Sequence, residues 1–381
     1  MKSFAFTKHL VTRFILAVFL IIPLITVFTS PVAADGEGNN ARGAVYTITN
    51  EASGNEVAVY DRSADGSLTF MGSYTTGGLG SGAGLGSQGS VILGGNGRQL
   101  FVVNAGSNQI SVFAVRKDGL ELLDVADSGG EMPISLTFHN DALYVLNAGG
   151  SGNISGFRVR ENGKLVALNG SSQPLSNGGT GDSPQPAQIS FSLDGRLLVV
   201  TEKATNLIDV YQVVRGIAGP PETHPSSGMT PFGFAFAKRH DLIVSEAFGG
   251  APEASAVSSY NVDRDTFEAV SASVQTTQTA ACWVVVSNNG KYAYVTNAGS
   301  GSISSYRIGE DGTISLLEAQ AGLTGEGSSP IDMAFSNNGQ FLYALGANSD
   351  TISIFSARGD GSLESLGSVS VPAGAVGLAA R

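Results

Sequence analysis

Cysteine is nearly absent from this chain. Cys282 is the only one in 381 residues, which excludes an intrachain disulfide and every multi-cysteine metal site. In the apolar run Ala280-Ala281-Cys282-Trp283-Val284 it reads first as a buried structural thiol. Histidine is scarce too: His139 and His240 fall at expected turns and His224 in a Pro-rich stretch, so no zinc cluster is expected. There is no Gly-x-Ser-x-Gly, no phosphate-binding Gly-Lys-Ser/Thr and no Asp-rich calcium loop, so the chain offers no nucleophile elbow, P-loop or EF-hand site. No metal and no cofactor are expected.

Basic residues are outnumbered, 21 against 32 acidic. Long apolar runs are missing except for Phe14 to Val27, itself broken by Pro23. That run follows Lys2, Lys8 and Arg13 and precedes Val32-Ala33-Ala34, the layout of a secretory signal peptide over residues 1–34, with an uncleaved N-terminal anchor as the alternative. The run is shorter than the roughly 20 residues of a spanning helix. The expected product is a secreted protein, periplasmic or extracellular, with a short linker at 35–42 and no stable membrane span. Cleavage would leave 18 basic against 32 acidic side chains, a net charge of −14, which argues against nucleic acid as a partner. A monomer is expected.

What the chain has in abundance is Gly, Ser, Thr, Asn and Val, a composition for short strands and tight turns. One phrase recurs: an apolar strand ending in Asn or Glu, a polar turn, then an alternating strand ending in an aromatic. It appears as YTITNEASGNEVAVY (46–60), FVVNAGSNQISVF (101–113), YVLNAGGSGNISGF (144–157) and VVTEKATNLIDVY (199–211). It returns at 243–260, 294–306 and 343–355. Hairpin signals flank the copies, among them Asp65-Gly66, Asn162-Gly163, Asp311-Gly312 and Asp360-Gly361 downstream, and Asn96-Gly97, Asp194-Gly195 and Asn338-Gly339 upstream. Seven copies at this spacing predict an all-β, seven-bladed β-propeller over residues 43–381. The first unit lacks a preceding strand, while Val371 to Ala379 is a surplus strand at the other end. The C-terminal strand is therefore expected to complete the first blade and close the ring, hiding its edges.

In such a ring the starts of innermost strands and the ends of second strands meet around one channel mouth. The second strands end in Asn50, Asn104, Asn147, Glu202, Glu246, Asn297 and Gly346. Asn suits the turn it opens; Glu does not. Glu202 and Glu246 are accordingly the candidate catalytic residues, one as general acid or base and the other ionised, with a solvated rim position as the other reading. The innermost strands would begin Pro133-Ile134-Ser135, Pro186-Ala187-Gln188, Pro231-Phe232-Gly233, Ala281-Cys282-Trp283 and Pro330-Ile331-Asp332. Gln188, Lys203, Phe232, Trp283, Asn297 and Asn147 are the candidate substrate-binding residues, though packing between blades also suits Trp283.

The phrases NAGSNQISVF, NAGSGSISSY and DGRLLVVTEKATNLIDVY resemble the lactonase-type seven-bladed propellers, which include propeller 6-phosphogluconolactonases and carboxymuconate-lactonising enzymes, across residues 43–380. The resemblance implies a channel-mouth site with a glutamate, for which Glu202 is the nearest match. Enzymatic members tend to carry Pro-Arg-His at an innermost-strand start; the five triplets above have neither Arg nor His. Without a cation there, a phosphorylated or carboxylated lactone would meet its own charge. Two readings follow: a hydrolase for a neutral lactone with Glu202 or Glu246 as general base, or a non-catalytic propeller that holds a small molecule or an unidentified protein at the same mouth.

Overall fold

The computed structural model describes residues 43–381; the leader at 1–34 and the linker at 35–42 lie outside the described residues. Seven antiparallel sheets follow one another along the chain, each with its strands in sequential order except the first. Blade 1 pairs Val376–Ala380 with Gly43–Ile48, then Glu56–Arg62 and Leu68–Thr75. The ring is thus closed by the C-terminal strand, with Val45 opposite Ala380 and Tyr46 opposite Ala379.

Blade 2 begins at Val91–Gly94, blade 3 at Pro133–His139, blade 4 at Pro186–Phe191, blade 5 at Pro231–Phe236, blade 6 at Ala281–Val286 and blade 7 at Pro330–Phe335. Blade 3 departs from the pattern. Its outer edge is split into Leu165–Ala167 and Gln173–Pro174, both paired with Asn153–Val159.

The recurring phrase has a physical reason at both ends. The Asp-Gly turn uses an acceptor and a left-handed residue: Asp65 Oδ1 accepts the Ser67 N–H at 3.0 Å while Gly66 sits at φ 87°, a region a side chain disfavours. The closing aromatic ties neighbouring blades. Tyr60, Tyr211 and Tyr306 donate their hydroxyls to the carbonyls of Ser370, Pro174 and Val274 in the outer edge of the preceding blade, at 2.9 to 3.0 Å. Their rings fill the space between sheets and are buried, so each aromatic supplies apolar area and satisfies its polar tip.

Candidate functional site

The register brings the two sets of candidate positions to one end of the blades. Pro133 pairs with Asn147, Pro186 with Glu202, Pro231 with Glu246, Ala281 with Asn297 and Pro330 with Gly346. In each of these strands the ladder shifts within the next two or three residues. A bulge at this point turns the strand and re-aims the residue after the first pair. In blade 7 the shift falls one residue later, at Asp332, held at φ 48°.

The glutamates do not face the channel. Glu202 and Glu246 are both 0 % exposed, and each points toward the crossover from the preceding blade. Glu202 accepts the Ser176 N–H at 3.0 Å, the Ser176 hydroxyl at 2.5 Å and the Thr205 hydroxyl at 2.6 Å. Glu246 accepts the Ser258 and Ser273 hydroxyls at 2.5 and 2.7 Å and the Gly228 N–H at 2.8 Å. They share no partner, so the structure does not bring the two carboxylates together at the mouth as an acid and base pair. The reason is the alternation of a sheet: the last residue of the second strand projects onto a blade face rather than toward the axis.

Elsewhere the same position shows what it does. Asn104 donates to Ser111 at 2.7 Å, Asn147 to Ser155 at 3.0 Å and Asn297 to Ser304 at 2.9 Å, each joining the second strand to the third. These amides are fully buried; Asn297 works inside its blade, and Asn147 also donates to the Ser128 carbonyl of the incoming crossover at 3.4 Å. Blade 4 replaces the pair by two carboxyls, Glu202 and Asp209. Burial, then the Glu202 charge and a hydrogen bond shared with it, push the Asp209 carboxyl up to about 8, so the pair holds a proton at neutral pH. Asp209 also accepts the Thr223 hydroxyl at 2.8 Å.

Other candidates do converge. Lys203, one residue past Glu202, turns the opposite way: its ammonium lies 4.8 Å from the centre of the Phe232 ring and donates to the Gly86 carbonyl at 2.6 Å. Phe232 in turn packs 4.9 Å from Trp283 at 53°. Desolvation pulls the Lys203 amine down to about 8, with Cys282 opposing. Burial pushes the Cys282 thiol up to about 12, and its Sγ contacts the Ala280 carbonyl at 3.1 Å, so it is a packed, unreactive thiol. Gln188 is spent on structure: its amide accepts the Phe234 N–H at 2.7 Å and donates to the Phe234 carbonyl at 2.9 Å, clamping blade 4 to blade 5.

The Gly-rich stretch from Gly77 to Ser90 is the part that residue patterns read only as a loop. It is a strap over the mouth. Ser87 donates to the Ile134 carbonyl at 2.8 Å and its own carbonyl accepts the Trp283 indole N–H at 2.9 Å. The Gln88 side chain reaches blade 6, donating to the Val284 carbonyl at 2.8 Å and accepting the Val284 N–H at 3.1 Å. Below it, Asp332 accepts the N–H groups of Met333, Leu378 and Gly89 at 2.9, 3.2 and 3.3 Å. Burial raises its carboxyl to about 7. Asp332 stood in one of the five triplets but carried no signal, because a bulge residue cannot be told from its neighbours by type. Asp209 had one: it follows Glu202 by seven residues, as Ser111 follows Asn104 and Ser304 follows Asn297.

Charge divides the molecule. The loops of the mouth face carry Glu51, Glu131, Asp182, Glu253, Glu326 and Asp350, and Lys203 is their only Lys or Arg. Among the described residues no group of three or more His, Cys, Asp or Glu side chains is arranged to hold a metal ion, and no helix is long and apolar enough to cross a membrane.

The family described as "Lactonase, 7-bladed beta-propeller" matches residues 39–176 and 255–376. No curated protein matches the sequence. Among solved structures, a periplasmic gluconolactonase of Pseudomonas aeruginosa is 18 % identical with a TM-score of 0.64, over 89 % of this chain and 98 % of that one. A candidate 6-phosphogluconolactonase of Bacteroides fragilis is 18 % identical with a TM-score of 0.68, over 90 % and 99 %. A Lactobacillus plantarum protein is 16 % identical with a TM-score of 0.71, over 89 % and 99 %. At these identities the structures share the fold.

Proposed function

Because the chain belongs to the lactonase family of seven-bladed β-propellers, we propose that it hydrolyses a small neutral lactone at the channel mouth, with Lys203 as general base. The observation that carries this is the single amine set on an aromatic shelf, drawn down to about 8 by burial. A lysine in that range is a matched base near neutral pH. The neutral amine takes a proton from water, the resulting hydroxide attacks the lactone carbonyl carbon, and the ring C–O bond breaks. The leaving alkoxide then takes the proton from the Lys203 ammonium.

Phe232 supplies the apolar face for the ring, with Trp283 behind it. The strap must release the Lys203 amine from the Gly86 carbonyl for this chemistry, so opening precedes turnover. The acidic ring on the mouth loops supports a neutral substrate, since a phosphorylated or carboxylated lactone is repelled before it arrives. Glu202, one of the two bases expected from the sequence, acts here through Ser176 and Thr205, holding the crossover against the strand that bears Lys203.

Proton release from neutral and phosphorylated lactones, corrected for spontaneous hydrolysis, separates these assignments. Lys203→Met is expected to lower kcat about 100-fold, while Glu202→Gln and Glu246→Gln keep most of it. In the native protein kcat rises through pH 8 as the amine loses its proton. Full activity in Lys203→Met removes the lysine base, and loss confined to Glu202→Gln restores the glutamate.

The closed strap favours a second reading, a non-catalytic propeller that holds a small molecule or a protein at this mouth. Absence of turnover together with a shift in the emission of Trp283, the only tryptophan, on lactone binding would select it. We also propose export to the periplasm or beyond on the strength of the leader. Mass spectrometry of the protein recovered outside the cytoplasm is expected to find an N-terminus at Asp35, and an intact Met1 there overturns cleavage.

A further inference from the structure

On the face opposite the mouth, two clefts run together across three blades. One, of about 550 Å³, lies between blades 2 and 3 and is lined by Arg98, Arg116 and Arg160 with Gln99, Asn140 and Asp141. The other, of about 310 Å³, lies between blades 3 and 4 and is lined by Arg158, Arg215 and His139. Asn140 and Asp141 border both, so the two adjoin across this turn and make a groove divided by it.

We propose that this groove binds an acidic oligosaccharide through the carboxylates of its sugar units. The cations divide into two kinds. Arg116 is forked onto Glu121 at 2.7 and 2.9 Å, and Arg158 is paired with Asp141. Arg160 and Arg215 make no ion pair or side-chain hydrogen bond among the described residues, and Arg98 spends only its Nε, on the Gly95 carbonyl at 3.1 Å. Three guanidinium forks therefore stand along the groove ready for planar, two-oxygen acceptors, which carboxylates are.

The rest of the lining suits sugar. The amides of Gln99 and Asn140 offer donors and acceptors to hydroxyls, and Glu161 and Asp141 offer acceptors to hydroxyl protons. Phe138 is half-buried against Phe101, 5.1 Å away in a stacked arrangement, and lines the cleft, an apolar ring on which a pyranose face can rest. The groove is separate from Lys203 and from the mouth, so the inference stands whatever the mouth does.

Trigalacturonate, with maltotriose as its neutral counterpart, is the probe, titrated calorimetrically into the whole protein at low and at physiological salt. Binding of the uronate alone is expected, weakening as salt rises. Arg98→Ala with Arg160→Ala is expected to weaken it tenfold or more, while Lys203→Met leaves it unchanged. These arginines are exposed, and the thermal transition of the double variant checks that the ring is intact. Absence of heat with the native protein, equal binding by the double variant, equal binding of maltotriose, or equal binding of a single-stranded oligonucleotide each overturns the proposal.

Discussion

Removal of residues 376–381 is expected to abolish the folded monomer. Val376–Ala380 is the innermost strand of blade 1, and Val376, Leu378, Ala379 and Ala380 are all buried. Its backbone is held on two sides: Arg381 N–H donates to the Ala44 carbonyl at 2.9 Å, and Leu378 N–H donates to Asp332 at 3.2 Å. The Thr47 hydroxyl adds a bond to the Val376 carbonyl at 3.1 Å. Losing the strand strips Val45 and Tyr46 of their cover and leaves Gly43–Ile48 as a bare edge, a template for pairing with other chains.

The buried side chains alone are worth about 5 kcal/mol at roughly 1 to 2 kcal/mol each, and the orphaned N–H and C=O groups add about 1 to 3 kcal/mol each. The total rivals the whole stability of an ordinary domain, about 5 to 15 kcal/mol. Size-exclusion chromatography and a thermal melt decide the matter. Aggregated or insoluble protein is the expected result; a monomer melting cooperatively within a few degrees of the native chain would falsify the ring-closure argument.

Stability is expected to fall, not rise, as pH climbs from about 4 to about 8. The Asp209 carboxyl is raised to about 8 in the folded protein, whereas in the unfolded chain it titrates near its ordinary value of roughly 4. Between those limits the folded state keeps a proton that the unfolded state gives up. Unfolding is therefore favoured by each step toward alkali. The contribution is fully present below about pH 4 and is lost by about pH 8. A gap of this size corresponds to an upper bound of about 5 kcal/mol, and Asp332, raised to about 7, acts with the same sign.

Asp209→Asn removes the larger part of this. The amide can donate to Glu202 and still accept from Thr223 without a second buried charge. Thermal melts across the pH range should therefore show the variant matching the native protein near pH 4 and exceeding it by several degrees near pH 8. Parallel curves would mean that Asp209 carries no proton in the fold. Lys203→Met serves as a control here, since the lowered amine disfavours folding by an amount that is constant from pH 4 to 8 and is relieved only between about 8 and 10.5.

Much of this architecture can be read from the chain because a propeller repeats its instructions. Each Asn-Gly or Asp-Gly pair marks a hairpin by local geometry alone, and the surplus strand at the C-terminus answers the strand missing before Gly43. The phrase-ending aromatics announce blade contacts for the same reason, since a Tyr between two sheets needs a carbonyl for its hydroxyl.

The site was harder to read because its placement depends on features below the repeat. Lys203, Phe232 and Trp283 were identifiable as residues near one mouth. That Glu202 projects into the blade while Lys203 projects toward the channel follows from side-chain alternation at the end of the second strand, and residue type does not mark which of the two faces inward. The strap was illegible for another reason. Most of its anchors are backbone carbonyls and N–H groups, and glycine and serine advertise neither. Ser87 and Gln88 also anchor it through side chains, and nothing in their neighbourhood distinguished them from solvated loop residues.

That strap changes what kind of object the ring is. Seven similar blades suggest a modular array in which one unit could be exchanged for another, since each touches only its neighbours. A strand of chain leaving blade 1 and fastened to blades 3, 4 and 6 before entering blade 2 breaks that independence. It works as a spoke, tying together units that share no edge. The blades have become parts of one machine with a fixed order, and a duplicated or shuffled blade would inherit the fold without inheriting the hub.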